Sequence, residues 1–356
     1  MKKNTPQNPS STPKVMVIVL NWHGHEDTIP CMNALAAQSY TDFHTILIDN
    51  GSSPDEKALL EAHYRQHERV TLIQHPTNLG FTKANNRIVE QLLQQQGWEA
   101  LVLLNNDTIV DKEWLEALVR CAEETQSDMV GSKIVFMDDP EIIDSIGHYM
   151  LNTGEILPLG NGEPAAHYTE RMEVFGACAG ALLIKRSLIE AIGLFDPFFE
   201  TGYEDAELGA RSGLLGYRCT FEPRARVRHR GSASVKKIRD FDYLVRLEIN
   251  VWYTYLKLMP GWVIALNAPF LLLKYLLILA GGLLAARPRI SKIYAVALYR
   301  TFGPYRSTIL RARAQFWQQH RVTAATATAQ HRFFLAVYWR YFVRYVVQKR
   351  KSIFDN

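Results

Sequence analysis

Four short apolar runs constrain this chain most: "VMVIVL", "HTILIDN", "VTLIQH" and "ALVLLNND". Near-continuous runs of this length are the pattern of strands buried on both faces, as in a parallel sheet. The segments between them are long enough for crossover helices, for example Thr28 to Gln38 and Pro54 to His67. The economical topology is a right-handed α/β sheet, mostly parallel, with helices on both faces. In such sheets ligands bind at the strand C-termini. Those ends read "LNWHG", "IDNGSS", "HPTNLGF" and "LNNDT", so a crevice assembled from four strand ends is expected.

Charge divides the chain. Residues 1–235 carry 20 lysines and arginines against 32 acidic residues, and residues 236–356 carry 20 against 4, balances of −12 and +16. A basic tail attracts nucleic acid or an anionic membrane. Here its neighbours are apolar and aromatic, which favours a membrane surface and no nucleic acid. Trp262 to Ala286 has Lys274 as its only charge. As a helix it would reach roughly 37 Å, enough for a ~30 Å hydrocarbon core, but Pro269, Lys274 and Gly281-Gly282 argue against a simple span. The flanking segments mix Arg with Trp, Tyr and Phe, as in helices lying in an anionic interface. Peripheral or monotopic attachment to the cytoplasmic face is expected, with a single span, a re-entrant hairpin or a soluble helical domain as alternatives.

The four cysteines show no CxxC pair, so neither a zinc knuckle nor a disulfide framework is indicated, and a reducing cytosol is the simplest compartment. The N-terminus "MKKNTPQNPSSTPK" is polar and Pro-rich with no signal-peptide h-region, which predicts a disordered tail over 1–14.

Each polar strand end has a functional and a structural reading. Asp107 closes "LLNND" where a carboxylate can reach a hard cation, or it caps the next helix. Asp49 in "DNGSS" accepts from a nucleoside, or the segment is only a turn. Asn78 and Gly80 in "NLGF" precede a helix whose first N–H groups suit an anion, or they cap that helix. His229 in "RVRHRGSAS" supplies an imidazole to a metal or a donor to a phosphate, or lies on the surface. The stretch "FFETGYEDAEL" crowds Glu200, Glu204, Asp205 and Glu207 together. Acids in a first helical turn are stabilised by the helix dipole; a carboxylate in a partly desolvated cleft also suits a general base.

Taken in order, "VIVLNW", "ILIDNGS", "NLGFTKANN", "LLNNDT", "GACAGALLIKR", "GLFDPFFETGYEDAEL" and "VRHRGSAS" resemble the inverting glycosyltransferase family 2 of GT-A fold, closest to its rhamnosyltransferase-like branch. The resemblance covers about Val15 to Ser234. It implies a GT-A domain over 15–240, with a nucleotide-sugar half (15–107) and an acceptor half (108–240), followed by a helical membrane-associated region over 241–356. It implies Asp49 at the nucleoside, with Asn21, Asn78, Gly80 and Asn106 completing the nucleotide-sugar site. Asp107 and His229 would hold Mg2+ or Mn2+. Asp205 would be the catalytic base, with Glu204 beside it in the same element. The family's Asp-x-Asp is here Asn105-Asn106-Asp107, and its "EDxDL" is here "EDAEL", which leaves the role of Glu207 open. Glu200 has no implied task. The implied partners are a nucleoside-diphosphate sugar, such as dTDP-rhamnose or a UDP-sugar, and a glycan or lipid-linked acceptor in cell-surface polysaccharide synthesis. A nucleotidyltransferase on a related sheet, releasing pyrophosphate, and a noncatalytic membrane scaffold are the competing readings.

Overall fold

The computed structural model describes residues 14–231, 240–284, 287–322, 331–335, 337 and 339. Apart from Lys14, the expected N-terminal tail lies outside the described residues, as does most of the basic aromatic stretch after Arg332. In chain order the elements are β1 (Val15–Asn21), α1 (His25–Ala36), β2 (Phe43–Asp49), α2 (Pro54–Tyr64), β3 (Val70–Gln74), α3 (Phe81–Leu92), β4 (Ala100–Asn105), β5 (Thr108–Val110), α4 (Trp114–Thr125) and β6 (Met129–Phe136). There follow β7 (Ile143–Ser145), β8 (His148–Leu151), β9 (Ile156–Pro158), β10 (Met172–Val174), β11 (Ala181–Lys185), α5 (Arg186–Ile192), α6 (Glu204–Leu214) and β12 (Cys219–His229). The last are α7 (Phe241–Leu258), α8 (Gly261–Leu284), α9 (Pro288–Phe302), α10 (Arg306–Gln319) and β13 (His331–Arg332).

The chain divides into two compact units. Unit 1 comprises Met1–Gly147, Pro158–Ser212 and Tyr217–Lys237; unit 2 comprises His148–Leu157, Gly213–Gly216 and Ile238–Asn356.

Unit 1 holds a sheet of order β10-β12-β6-β11-β4-β1-β2-β3, with β5 on β12 and β7 on β6. The four strands foreseen from the apolar runs pair in parallel. Beyond them the sheet is mixed, because β11 runs antiparallel between β4 and β6. Alternate residues of each strand face opposite sides. Val15, Val17 and Val19 enter one core with α1, α2 and α4, whereas Met16 and Ile18 enter another with α3 and α5. Two buried indoles keep their N–H groups satisfied, as burial demands: Trp98 donates to Leu92 O and Trp114 to Ser132 Oγ, at 2.8 and 2.9 Å.

In unit 2, β8 pairs with β9 and β13 in a small sheet. Helix α7 begins on Asp240, whose side chain accepts from Tyr243 N at 2.8 Å. The interior holds an ionic cluster: Lys274 Nζ lies 2.7 Å from Glu155 Oε1 and 3.8 Å from Glu248 Oε1, and Tyr275 donates to Glu248. Among the described residues one stretch, Gly261–Ala280 of α8, is long and apolar enough to cross a membrane.

Within unit 1, helix α6 packs through a close contact of two glycines. A Cβ on Gly209 would come 2.8 Å from Gly176 Cα, and one on Gly176 would come 2.7 Å from Gly209 Cα. Backbone meets backbone here, so no flexible side chain can yield. Helix propensity alone would make Gly209→Ala stabilising by up to about 1 kcal/mol, whereas overpacking costs about 1–3 kcal/mol. The second effect should win. The urea midpoint of Gly209→Ala is expected to fall with unchanged slope; a raised midpoint would show that the helix does not sit this close.

Candidate active site

One buried polar network joins the C-terminal ends of β1, β2 and β4. The parallel register sets Asn21 beside Asp49 and Leu20 beside Asn105. Asn21, wholly buried, donates from Nδ2 to Asp49 Oδ1 (3.0 Å), Ser52 Oγ (3.2 Å) and Glu56 Oε1 (3.0 Å). Its Oδ1 accepts from Thr28 Oγ1 at 2.7 Å, and Thr28 Oγ1 accepts from Asn106 Nδ2 at 2.9 Å. Glu56 Oε1 also accepts from the N–H groups of Gly24 and His25, each at 2.9 Å, which fastens the loop after β1. Asn21, Asp49 and Asn106 thus come together at the strand ends. Glu56 escaped sequence reasoning, because in "PDEK" it reads as an ordinary first-turn acid.

The "NLGF" turn is held from within. Asn50 donates to Asn78 Oδ1 (2.9 Å) and accepts from Leu79 N (3.0 Å), while Asn78 Oδ1 also accepts from Gly80 N (2.8 Å). Gly80 has φ +79°, and a Cβ there would stand 3.0 Å from Glu200 O. That same carbonyl accepts from Phe81 N and Thr82 N, at 3.1 and 3.4 Å. The expectation that these first N–H groups of α3 are offered to an anion is therefore corrected: Glu200 takes them through its main chain.

Asp205 lies in the first turn of α6, partly exposed. Its carboxylate accepts from Ala179 N (3.0 Å) and Ala206 N (2.7 Å). The Cys178–Gly180 loop that holds it also holds β4, since Gly180 O accepts from Asn105 N at 3.0 Å. Glu204 is buried, and its Oε2 has no hydrogen-bond partner. Burial first, and the neighbouring Asp205 charge second, push the Glu204 carboxyl up to about 8. Glu207 is fully buried and accepts from Arg211 Nε at 3.0 and 3.2 Å. Arg211 also donates to Ile192 O and Leu194 O. Glu207 thereby anchors α6 to the segment before it.

The third group forms where β12 ends. Antiparallel pairing sets His229 opposite Thr108, and Arg230 N donates to Asp107 O at 3.0 Å. His229 Nε2 stands 3.2 Å from Asp107 Oδ1, and Nδ1 stands 2.7 Å from Asp144 Oδ2. Burial works against a charged imidazole, but the two carboxylates outweigh it and hold His229 up at about 10, so a cation held through Nε2 would have to displace that proton. Asp144 was not singled out from the sequence, because it lies in an irregular stretch and meets His229 only when β7 folds back on β6.

The donor set fits a divalent cation. Two ligands bound at adjacent vertices of an octahedral ion, each ~2.1 Å from it, stand about 3.0 Å apart, close to the observed separation of Asp107 Oδ1 and His229 Nε2. The buried Nε2 makes no aligned hydrogen bond, and Asp144 on Nδ1 is the carboxylate that metal-ligating histidines usually have. No cluster of three ligating side chains occurs among the described residues.

The family model described as Glycosyl transferase family 2 matches residues 15–193, half of the chain. The O-antigen biosynthesis protein RfbC of Myxococcus xanthus is 30% identical over 237 residues, 63% of this chain and 18% of its own length. An N-acetylglucosaminyl-diphospho-decaprenol L-rhamnosyltransferase of Mycobacterium tuberculosis is 28% identical over 209 residues, 52% of this chain and 65% of its own length. The chain thus spans less than two thirds of each relative. The crystal structure of GalNAc-T7 with UDP, GalNAc and Mn2+ superposes with a TM-score of 0.52 at 16% identity, covering 67% of this chain and 51% of that one, a likeness of fold. With the matching motifs gathered at the strand ends of such a sheet, the protein has the GT-A fold and belongs to glycosyl transferase family 2.

Proposed function

We propose that the protein is an inverting glycosyltransferase. It moves a sugar from a nucleoside-diphosphate donor, dTDP-rhamnose or a UDP-sugar, to a hydroxyl of a glycan or lipid-linked acceptor in cell-surface polysaccharide synthesis. The relatives named for O-antigen biosynthesis and for rhamnosyl transfer to a diphospho-decaprenol support that acceptor class. We assign the transfer to residues 15–240. We assign attachment to the cytoplasmic face of a membrane to residues 241–356, whose balance is +14.

The observation that carries the reading is the setting of Asp205. Its carboxylate is held by Ala179 N–H, in the loop that also binds the end of β4, with a proton-holding Glu204 beside it. Asp205 takes the proton of the acceptor hydroxyl as that oxygen bonds to the anomeric carbon. The bond from that carbon to the diphosphate breaks on the opposite face, so configuration inverts. Asp107 and His229 would hold Mg2+ or Mn2+, which when bound offsets the charge of the leaving diphosphate. Asn21, Asp49, Asn106, Asn78 and Gly80 shape the nucleotide-sugar side of the crevice. Glu204 is a positioning residue behind the base. A screen of deoxythymidine- and uridine-diphosphate sugars, reading released nucleoside diphosphate, tests the activity and names the donor.

Asp205→Asn keeps an oxygen for Ala179 N–H but cannot take the proton. Turnover should fall roughly 10²–10⁴-fold while donor affinity stays near wild type; retained turnover would remove Asp205 as base.

Asp107→Ala should abolish metal-dependent turnover and weaken Mn2+ binding, read by the paramagnetic resonance of the free ion. Full wild-type activity in excess chelator would defeat the metal assignment.

The raised Glu204 carboxyl makes a stability prediction. A carboxyl that holds its proton more tightly folded than unfolded contributes stability that is fully present below the ordinary value near 4.5. That contribution is lost as pH rises through about 8. Glu204→Gln carries no proton to lose, so its urea midpoint should gain on wild type between pH 5 and pH 8. A constant difference across that range would show that Glu204 is not the group concerned.

A further inference from the structure

The helix α8 is built inside out. Its buried side carries its polar residues, Asn267, Lys274 and Tyr275, beside Val263 and Leu271. Its opposite side carries Trp262, Leu266, Leu272, Leu273, Leu276 and Leu277, between 41% and 64% exposed. Positions 262, 266, 273 and 277 fall on one stripe at helical spacing. A helix of a water-soluble domain has the reverse arrangement.

A cleft of about 370 Å³ opens beside the first turn of α8. Its walls are apolar, with Leu256, Ile264, Phe302, Ile309 and Leu310, and it also holds Arg306, Arg313 and Thr301. Arg313 Nη1 donates to Leu256 O and Met259 O, both at 2.6 Å, which fixes the guanidinium beside Gly261 at the start of α8. Thr301 is fully buried, and its hydroxyl has no hydrogen-bond partner. An alkyl-lined cleft with two guanidinium groups and an unsatisfied hydroxyl matches a phosphate carried on a hydrocarbon chain.

We propose that unit 2 docks on an anionic phospholipid bilayer through the exposed face of α8. The helix lies in the membrane plane, and a lipid phosphate is seated in the cleft between Arg306 and Arg313. The partner is the bilayer because the outer face of α8 is apolar and the surrounding sequence, residues 236–356, has a balance of +16. This rests on the membrane attachment proposed above and not on the sugar transfer.

The test uses full-length protein and vesicles of phosphatidylglycerol or phosphatidylcholine. Wild type should float with phosphatidylglycerol and much less with phosphatidylcholine. Leu273→Glu and Leu277→Glu should each lower that binding about tenfold or more. Arg306→Ala should lower it about fivefold on phosphatidylglycerol only, and Thr301→Val should act in the same direction. Melting curves in detergent, equal to wild type, show that the variants fold. Nitroxide labels on Leu266→Cys, Leu273→Cys and Leu277→Cys should report one shallow depth. Wild type that floats with neither vesicle overturns attachment altogether. Flotation that survives Leu273→Glu and Leu277→Glu overturns this face alone. A depth profile deepest at the middle label makes α8 a span, and release by millimolar inorganic phosphate makes the cleft a site for free phosphate; either result overturns the proposal. None of these readouts depends on glycosyl transfer, so a failed donor screen leaves this test intact.

Discussion

Burying an amide and two carboxylates where three central strands end is the constraint on which the candidate site depends. Asn21 Nδ2 has two hydrogens and three oxygen acceptors within 3.2 Å, on Asp49, Ser52 and Glu56. An unsatisfied buried polar group costs about 1–3 kcal/mol, and more if charged, so none of these groups can move without stranding another. Glu56 then draws in Gly24 and His25, and Thr28 draws in Asn106. Three strand ends and two helix starts are fixed by one side chain. The loops at these strand ends are held at their roots for that reason.

The acidic stretch before and within α6 answers to four different demands. Glu200 contributes its carbonyl, which accepts from the first N–H groups of α3. Glu204 is buried and keeps its proton, Asp205 sits at the partly exposed end, and Glu207 is neutralised by Arg211. Crowding four negative charges would be costly if all were ionised and solvent-facing together. The fold avoids this by removing one from play, pairing another and leaving Asp205 with backbone donors on both oxygens.

The sheet and the strand-end residues were legible because apolar runs of strand length and polar terminators are local signals. Crossover helices could be placed to within a few residues, as with α2 at Pro54–Tyr64. What escaped depends on chain reversal. Asp144 faces His229 only through the β6–β7 hairpin, and the carbonyl of Glu200 reaches Phe81 only after the sheet has formed. The grouping of His148–Leu157 with the C-terminal helices was equally hidden, since its contacts run through Glu155 to Lys274 and through Asn152 to Phe334. In sequence, Lys274 reads as a flaw in an apolar span. In three dimensions it is the residue that holds the span to its neighbours.

That inversion bears on the medium outside α8. Placing Lys274 inward incurs a desolvation penalty of several kcal/mol, offset only by its carboxylate partners Glu155 and Glu248. Leaving five leucines 41–64% exposed on the outer face forgoes roughly half of the about 1.5–3 kcal/mol that full burial of each provides, on the order of 5 kcal/mol in total. In water both choices have the wrong sign: a lysine turned outward and leucines turned inward would stabilise the helix more. Against hydrocarbon both signs reverse, because an outward lysine would then be the costly one and outward leucines would be in their preferred solvent. The distribution of residues around α8 is therefore the arrangement expected of a helix whose inner surroundings are more polar than its outer ones.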